Sequence, residues 1–392
     1  MVKQECVRFV DNTQEIRDMD INYHISRGTL ITVNIADIHM GVINPKTQYD
    51  ILKEQFIDEI GKLPGIDIIA IAGDFFDHKI MGNSAAAMYG SLLMSDIVNI
   101  ARKKNSTIIL VAGTESHDNG TIRLFYSYVN DPTIDFRLVE NIKFEYVKGC
   151  KILCIPELYG VDESIYQHYL FKSGWYDMCI MHGTFEGAVY GNNAGESRLF
   201  TMKDFMYCTG VIISGHVHVP GCFQKYFYYC GSPIRTRHGE EQDKGFFITC
   251  LNLDTMTHYA YFQSIESFIY RTMTLDSIID EDPKVVIDYI SNLKEKEGID
   301  YIKIKFNTVV PDSNRTILSN YYRNIDNVSL EFMSSQEEIN RKAETEAQID
   351  EYGFILDSSL TDESIFCKYV NQNEGYEFIT VDELKEILNE EL

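Results

Sequence analysis

The chain has 392 residues, 59 acidic and 35 basic, for a formal charge of −24. That length holds two or three ordinary domains, and a composition 45% hydrophobic and 12% aromatic excludes a disordered chain despite its acidity. The charge also argues against a broadly basic surface for nucleic acid, so any such contact needs a local basic groove, divalent cations or a partner.

Residues 1–28 show no readable pattern and are set apart as an N-terminal extension. From residue 30 to about 250, short apolar β-rich runs end in Gly, Asp or His, a layered α/β pattern. The first run, 30–36, delivers Asp37-Ile38-His39, whose alternate side chains share one side of an extended segment. A helix is expected over 47–63, with Tyr49, Leu52, Phe56 and Ile60 at helical spacing. The run 68–72 then delivers Gly73-Asp74, followed by Asp77 and His78. A second helix is expected over 85–104 through Met88, Leu92, Leu93, Ile97 and Ile100, and both helices have the length of crossover connections. The run 107–112 leads into Gly113-Thr-Glu-Ser-His117-Asp118. Further strands are expected at 151–155, at 178–181 before His182, and at 211–214 before Gly215-His216-Val217-His218.

After Cys250 the texture changes. A helix around Val285, Ile287, Ile290 and Leu293, the alternating strand 301–306 and a strand over 328–333 predict a small α+β domain. Residues 336–350 form a charged linker. Thr380 and Glu383 make a capping box ahead of Leu384, Ile387 and Leu388, so 351–392 is expected to be a short helical unit. The expected division is 1–28, 29–258, 259–335, 336–350 and 351–392. Nine scattered cysteines without a CxxC pair predict reduced thiols and a cytoplasmic protein, and no apolar stretch reaches the ~18 residues of a membrane span.

In an open sheet, ligands bind beyond the carboxyl ends of the strands, so the fold is expected to gather these Asp and His clusters. Mixed carboxylate and imidazole ligands without thiolate suit manganese, iron or zinc better than calcium. A shared carboxylate, Asp74, would bridge two ions ~3.5–4 Å apart, and a hydroxide between them would attack phosphorus.

This ordered set, Asp37-x-His39, Gly73-Asp74, Ser116-His117-Asp118, His182 and Gly215-His216-Val217-His218, resembles the calcineurin-like metallophosphoesterases. The stretch Ala72-Gly-Asp-Phe-Phe-Asp77, the long helix after it and the small domain after Cys250 look like the SbcD-type nuclease of double-strand-break repair. The resemblance implies that Asp37, His39 and His218 hold one metal, Asp74 bridges, and His182 and His216 hold the other, with His117 and Asp118 as the catalytic pair. The family pattern is Gly-Asn-His-Asp or Gly-Asn-His-Glu with Asn as a ligand of the second metal. Here the turn is two residues longer, and Ser116 takes the Asn position in the register that keeps His117-Asp118. The other register pairs Thr114 and Glu115 with Asn and His.

Asp77, His78, Arg235, Arg237 and His238 are the candidate substrate contacts, the arginines as donors to a phosphate backbone. The glycine-rich loop 187–197 is long enough to border a substrate. The resemblance implies a DNA nuclease subunit with two divalent ions, manganese first, acting at DNA ends with an SbcC-type coiled-coil ATPase docked on 351–392. A homodimer seam is expected along 85–104. The alternatives are a phosphodiesterase or phosphatase for nucleotides or phosphoproteins, and a non-enzymatic scaffold with a degraded site.

Overall fold

The computed structural model describes residues 24, 28–118, 120–186, 188, 198–224, 226–240, 242–275, 282–307, 310–325 and 327–333. Most of the N-terminal extension and of the 187–197 loop, the charged linker and the 351–392 unit lie outside them.

The chain divides into two units, Met1–Arg271 with Glu295–Tyr301, and Thr272–Lys294 with Ile302–Leu392. In the first unit, the apolar runs form strands because β-branched residues on continuous buried stretches need cover on both faces. They are β1 (Leu30–Ile35), β2 (Ile68–Ala72), β3 (Thr107–Val111), β4 (Asp135–Val139), β5 (Lys143–Val147), β6 (Cys150–Ile155) and β7 (Tyr176–His182). A short pair, β8 (Thr184–Phe185) and β9 (Leu199–Phe200), precedes β10 (Cys208–Gly215), β11 (Gly221–Gln224), β12 (Phe227–Tyr229), β13 (Lys244–Leu251) and β14 (His258–Ile265).

The strands expected as one series fall into two six-stranded sheets, of order β14-β13-β1-β2-β3-β4 and β11-β12-β10-β7-β6-β5. β1, β2, β3 and β4 run parallel, as do β6, β7, β10 and β12. Hydrophobicity shows that a strand is buried on both faces but not which sheet covers it. The two sheets share a core of Ala70, Ala72, Ile109, Val111, Ile152, Cys154, Met178, Ile180, Val211 and Ile213. Outside the first sheet lie α1 (Pro45–Leu52), which runs on through a π turn at Lys53–Ile57 and a last turn at Asp58–Lys62, and α2 (Ala85–Lys104). They bury Leu52, Phe56, Ile60, Leu93, Met94, Ile97 and Val98. Phe185, Phe200, Phe205 and Phe227 fill the far side of the second sheet. The arrangement is the mixed α/β layering expected from the sequence.

Local chemistry sets the helix ends. Asn44 caps α1 ahead of Pro45, and the Ser84 hydroxyl accepts from the Ala87 amide at the start of α2, each such cap worth about 1 kcal/mol. α2 ends at Asn105 in the left-handed conformation, φ 56°. Two residues of the expected α2 face, Met88 and Leu92, are exposed instead of buried.

In the second unit, β15 (Tyr270–Leu275), α4 (Pro283–Glu297), β16 (Tyr301–Phe306), α5 (Asp312–Tyr322) and β17 (Val328–Glu331) alternate, with the order β15-β16-β17 and β16 parallel to β17. The buried face of α4 carries Val286 and Ile290, and Val285 of the expected stripe is exposed. Ile290 of that stripe is buried as expected, and Ile287 and Leu293 beside it are half-buried. Ile302, Ile304 and Phe306 alternate inward on β16 as their period of two requires.

Candidate metal centre

The carboxyl ends of β1, β2 and β3 in one sheet and β6, β7 and β10 in the other converge across the shared core. Backbone bonds fix the approach of the first pair, because His39 N–H donates to the Asp74 carbonyl at 3.0 Å and Asp37 N–H to the Gly73 carbonyl at 3.0 Å. Side chains tie the sheets together. The His216 amide donates to both Asp37 carboxylate oxygens at 2.9 and 3.1 Å, and His182 Nδ1–H donates to the Ala72 carbonyl at 2.7 Å. Asp37, His39, Asp74 and His216 all have positive φ, at 49°, 47°, 52° and 84°. Non-glycine residues hold that conformation at a cost of about 1–3 kcal/mol, and it concentrates where side chains must be aimed. Gly113 is needed for a different reason: a Cβ there would stand 2.1 Å from Asp74 Oδ1.

Three groups of donors result: Asp37, His39 and His218; His39, Asp74 and His117; and Asp74, His182 and His216. Their ligand atoms lie within 4.8 Å of one another in each group. In the first half, His39 Nε2 and His218 Nε2 are 3.0 Å apart and His218 Nε2 is 4.0 Å from Asp37 Oδ1. In the second, His182 Nε2 is 3.2 Å from both Asp74 Oδ2 and His216 Nδ1. Asp74 Oδ2 also lies 3.8 Å from His39 Nε2, so one carboxylate oxygen faces both halves.

The donor set fits divalent cations. Neutral imidazole nitrogens that face each other at 3.0–3.2 Å bring lone pairs together, which a shared ion or proton must separate. His182 donates its Nδ1 proton to a carbonyl, so Nε2 is the nitrogen that faces the carboxylates and would ligate an ion in exchange for its proton. Burial, joined by the neighbouring His218 and His117, pushes the His39 pKa down to about 3 against the pull of Asp74. Burial opposes charge on His182, yet Asp74, Asp37 and Glu157 raise its pKa well above the ordinary value. Burial would also raise Asp74, but His182, His39 and His117 hold it below the usual carboxylate range. Among the described residues no Lys or Arg forms an ion pair with Asp37 or Asp74, so cations are what this buried charge lacks.

Residues 32–220, beginning on β1 and ending just past His218, match the model of the family described as Calcineurin-like phosphoesterase. The chain carries a calcineurin-like phosphoesterase domain. Comparison with curated proteins finds no match. One solved crystal structure aligns over 60% of this chain and 100% of its own, at 11% identity and a TM-score of 0.35, too distant to carry any argument.

Within the phosphoesterase domain, the structure gathers Asp37, His39, Asp74, His117, His182, His216 and His218. His117 donates Nδ1–H to the Asp77 carbonyl and stands edge-on to His39 with ring centroids 4.7 Å apart. Asp118 faces inward: its carboxylate accepts from the amides of Phe75 at 3.0 Å, Phe76 at 3.3 Å and Gly113 at 2.9 Å. Burial and the charge of Asp74 push its pKa up to about 7 against those donors. Asp118 therefore braces the β2 and β3 turns. Asp77 Oδ1 is 3.7 Å from His39 Nδ1, and its other oxygen is 3.1 Å from the exposed His78.

Ser116 does not join the donors. Thr114 closes a helical turn, its carbonyl accepting from His117 N–H at 3.0 Å and Asp118 N–H at 2.9 Å, and Ser116 is exposed on the short helix α3 (Glu115–Asp118). The hydroxyl inside the site is that of Thr114, 3.1 Å from Asp74 Oδ2 and 2.9 Å from Glu157 Oε2. Each register of the longer turn holds in part: Thr114 enters the site, His117-Asp118 keeps its place, and Glu115 and Ser116 bulge outward.

The candidate substrate residues are dispersed. Arg235 donates through Nε to the Gln242 carbonyl at 3.2 Å, Arg237 is largely exposed with Nε 3.5 Å from Glu240 Oε1, and His238 packs edge-on against Tyr270. The more consequential residue of that turn is Glu240, which sequence reasoning missed. Its Oε1 lies 3.5 Å from His218 Nδ1 and 3.6 Å from Nζ of the buried Lys244, which also donates to the His218 carbonyl at 2.7 Å. Although burial works the other way, His218 and Lys244 bring the Glu240 pKa down to about 2, so an ionised carboxylate faces the imidazole. Glu157 was missed too. Its only signal in the sequence is its place two residues after β6.

Proposed function

We propose that this chain is a two-metal DNA nuclease subunit, manganese first, that hydrolyses phosphodiester bonds at DNA ends. The observation that carries the phosphodiester reading is Asp74 Oδ2, which faces His182 Nε2 at 3.2 Å and His39 Nε2 at 3.8 Å and so offers one oxygen to two ligand sets. Divalent ions bound there supply Lewis acidity toward the phosphoryl oxygens and an activated water. The chain's own residues do the rest. Asp74 holds negative charge in a buried site, the Ala72 carbonyl fixes the imidazole of His182, Glu240 faces that of His218, and His117 is the proton donor. Its Nδ1–H is committed to the Asp77 carbonyl, so proton transfer to the departing oxygen falls to Nε2.

Three features support DNA as the substrate: the SbcD-like sequence around Asp74, the α/β unit that follows the domain, and the arginines on the turn that carries Glu240. An SbcC-type ATPase would supply the basic surface that a chain of charge −24 lacks. Met88 and Leu92, 52% and 44% exposed on α2, support the homodimer seam.

The test is cleavage of an end-labelled duplex beside a small chromogenic phosphodiester, each with manganese, magnesium, zinc or a chelator. Manganese-dependent loss of nucleotides from duplex ends, stimulated by the ATPase and lost on removing residues 351–392, is the expected result. Turnover of the small ester with intact DNA would place the enzyme among nucleotide or phosphoprotein esterases.

A further inference from the structure

We infer that Glu157 is an anionic ligand of the second metal ion, standing with Thr114 beside Asp74, His182 and His216. This rests on the two-metal reading above and adds to it the makeup of one of its two sites. Glu157 follows β6 and is buried, and its backbone N–H donates to the Ala112 carbonyl at 3.3 Å, which anchors it to the end of β3. Its Oε2 lies 3.2 Å from His216 Nδ1, 3.6 Å from His182 Nε2 and 2.9 Å from Thr114 Oγ1. Thr114 Oγ1 in turn is 3.1 Å from Asp74 Oδ2 and 3.5 Å from His182 Nε2, and the two histidine nitrogens are 3.2 Å apart.

Oxygen and nitrogen ligands about 2.1 Å from one ion stand about 3 Å apart when they are adjacent in its coordination sphere. Each of the five atoms from Glu157, Thr114, Asp74, His182 and His216 lies 2.9–3.6 Å from at least two of the others. A carboxylate held only to orient His216 would have no reason to reach His182 and the Thr114 hydroxyl as well. The other carboxylate oxygen is fixed from outside: Tyr159 donates its hydroxyl to Glu157 Oε1 at 2.9 Å. Two carboxylate oxygens, a hydroxyl and two imidazoles form an oxygen-rich set that favours a hard ion such as manganese over one that prefers softer ligands.

Manganese titration of the metal-free full-length protein, followed by calorimetry and by electron paramagnetic resonance, tests the assignment. The wild type should take two ions whose spectra couple. Glu157→Gln keeps the shape and an oxygen acceptor for His216 but loses the charge. It should bind the first ion with wild-type affinity and the second about 10-fold or more weakly, so that an uncoupled spectrum persists at concentrations that couple the wild type. Tyr159→Phe, a milder change, should weaken the same ion by a smaller factor. Two coupled ions at wild-type affinity in Glu157→Gln would overturn the assignment and leave the two-metal reading standing. Loss of both ions in a Glu157→Gln protein that still unfolds cooperatively would overturn it too, since Glu157 would then hold the whole site together. If the wild type bound no manganese, the two-metal reading itself would fall.

Discussion

The two halves of the site use the same parts, strand-end carboxylates and imidazoles, but distribute charge differently. Around Asp37, His39 and His218, the further carboxylates stand behind the rings: Asp77 at 3.7 Å from His39 Nδ1 and Glu240 at 3.5 Å from His218 Nδ1. Around Asp74, His182 and His216, Glu157 stands among the donor nitrogens themselves, 3.2 Å from His216 Nδ1. The first half also opens outward, with the His218 side chain 25% exposed, whereas His182 is fully buried. One half therefore keeps its further acids at the backs of its ligands, and the other concentrates negative charge at its centre. That teaches where each half is vulnerable: the first to loss of orientation, the second to loss of charge.

The largest effect is expected at the residue the halves share. Asp74→Asn should lower phosphodiester turnover on the order of 10³-fold and weaken both ions together, as measured by elemental analysis after gel filtration. An Asp74→Asn protein that kept one ion at full affinity would show the halves to be independent. His117→Ala should reduce the chemical rate ~10²-fold in single turnover with both ions retained. Metal loss in that variant would move His117 from proton transfer to ligation. Glu240→Gln should weaken an ion of the first half by about 10-fold and leave the second as it is, because the imidazole loses the acid that aims it. Equal weakening of both ions would erase the contrast between orientation and charge. Ser116→Ala, the smallest change, should shift activity by no more than the ~0.5 kcal/mol of an ordinary surface substitution. A larger loss would return Ser116 to the site.

Much of this was legible in the chain. Five apolar runs that end in Asp or His announce strands whose carboxyl ends carry chemistry, and the structure collects Asp37, His39, Asp74, His182, His216 and His218 there. The turn after β3 was legible only in part. Two extra residues were absorbed as a turn of helix, which projects Ser116 outward and sends Thr114 inward, and a residue count cannot reveal how an insertion folds. Glu157 and Glu240 belong to no spacing pattern. Each reaches the site through tertiary packing, one from the second sheet and one from a turn more than 20 residues beyond His218. The division into two sheets was hidden for the same reason, since runs buried on both faces read alike whichever sheet they join.

The bonds that cross between the sheets at this point have a further consequence. His216 N–H on the Asp37 carboxylate, His182 Nδ1–H on the Ala72 carbonyl and Glu157 N–H on the Ala112 carbonyl each join one sheet to the other. The donors of each half likewise come from both sheets, so a bound ion acts as a rivet through a layered plate. Hydrogen exchange at the strand ends would then slow on metal loading in both sheets at once, and the local opening that frees the ions would be a parting of the layers along this edge rather than a fraying of any single loop.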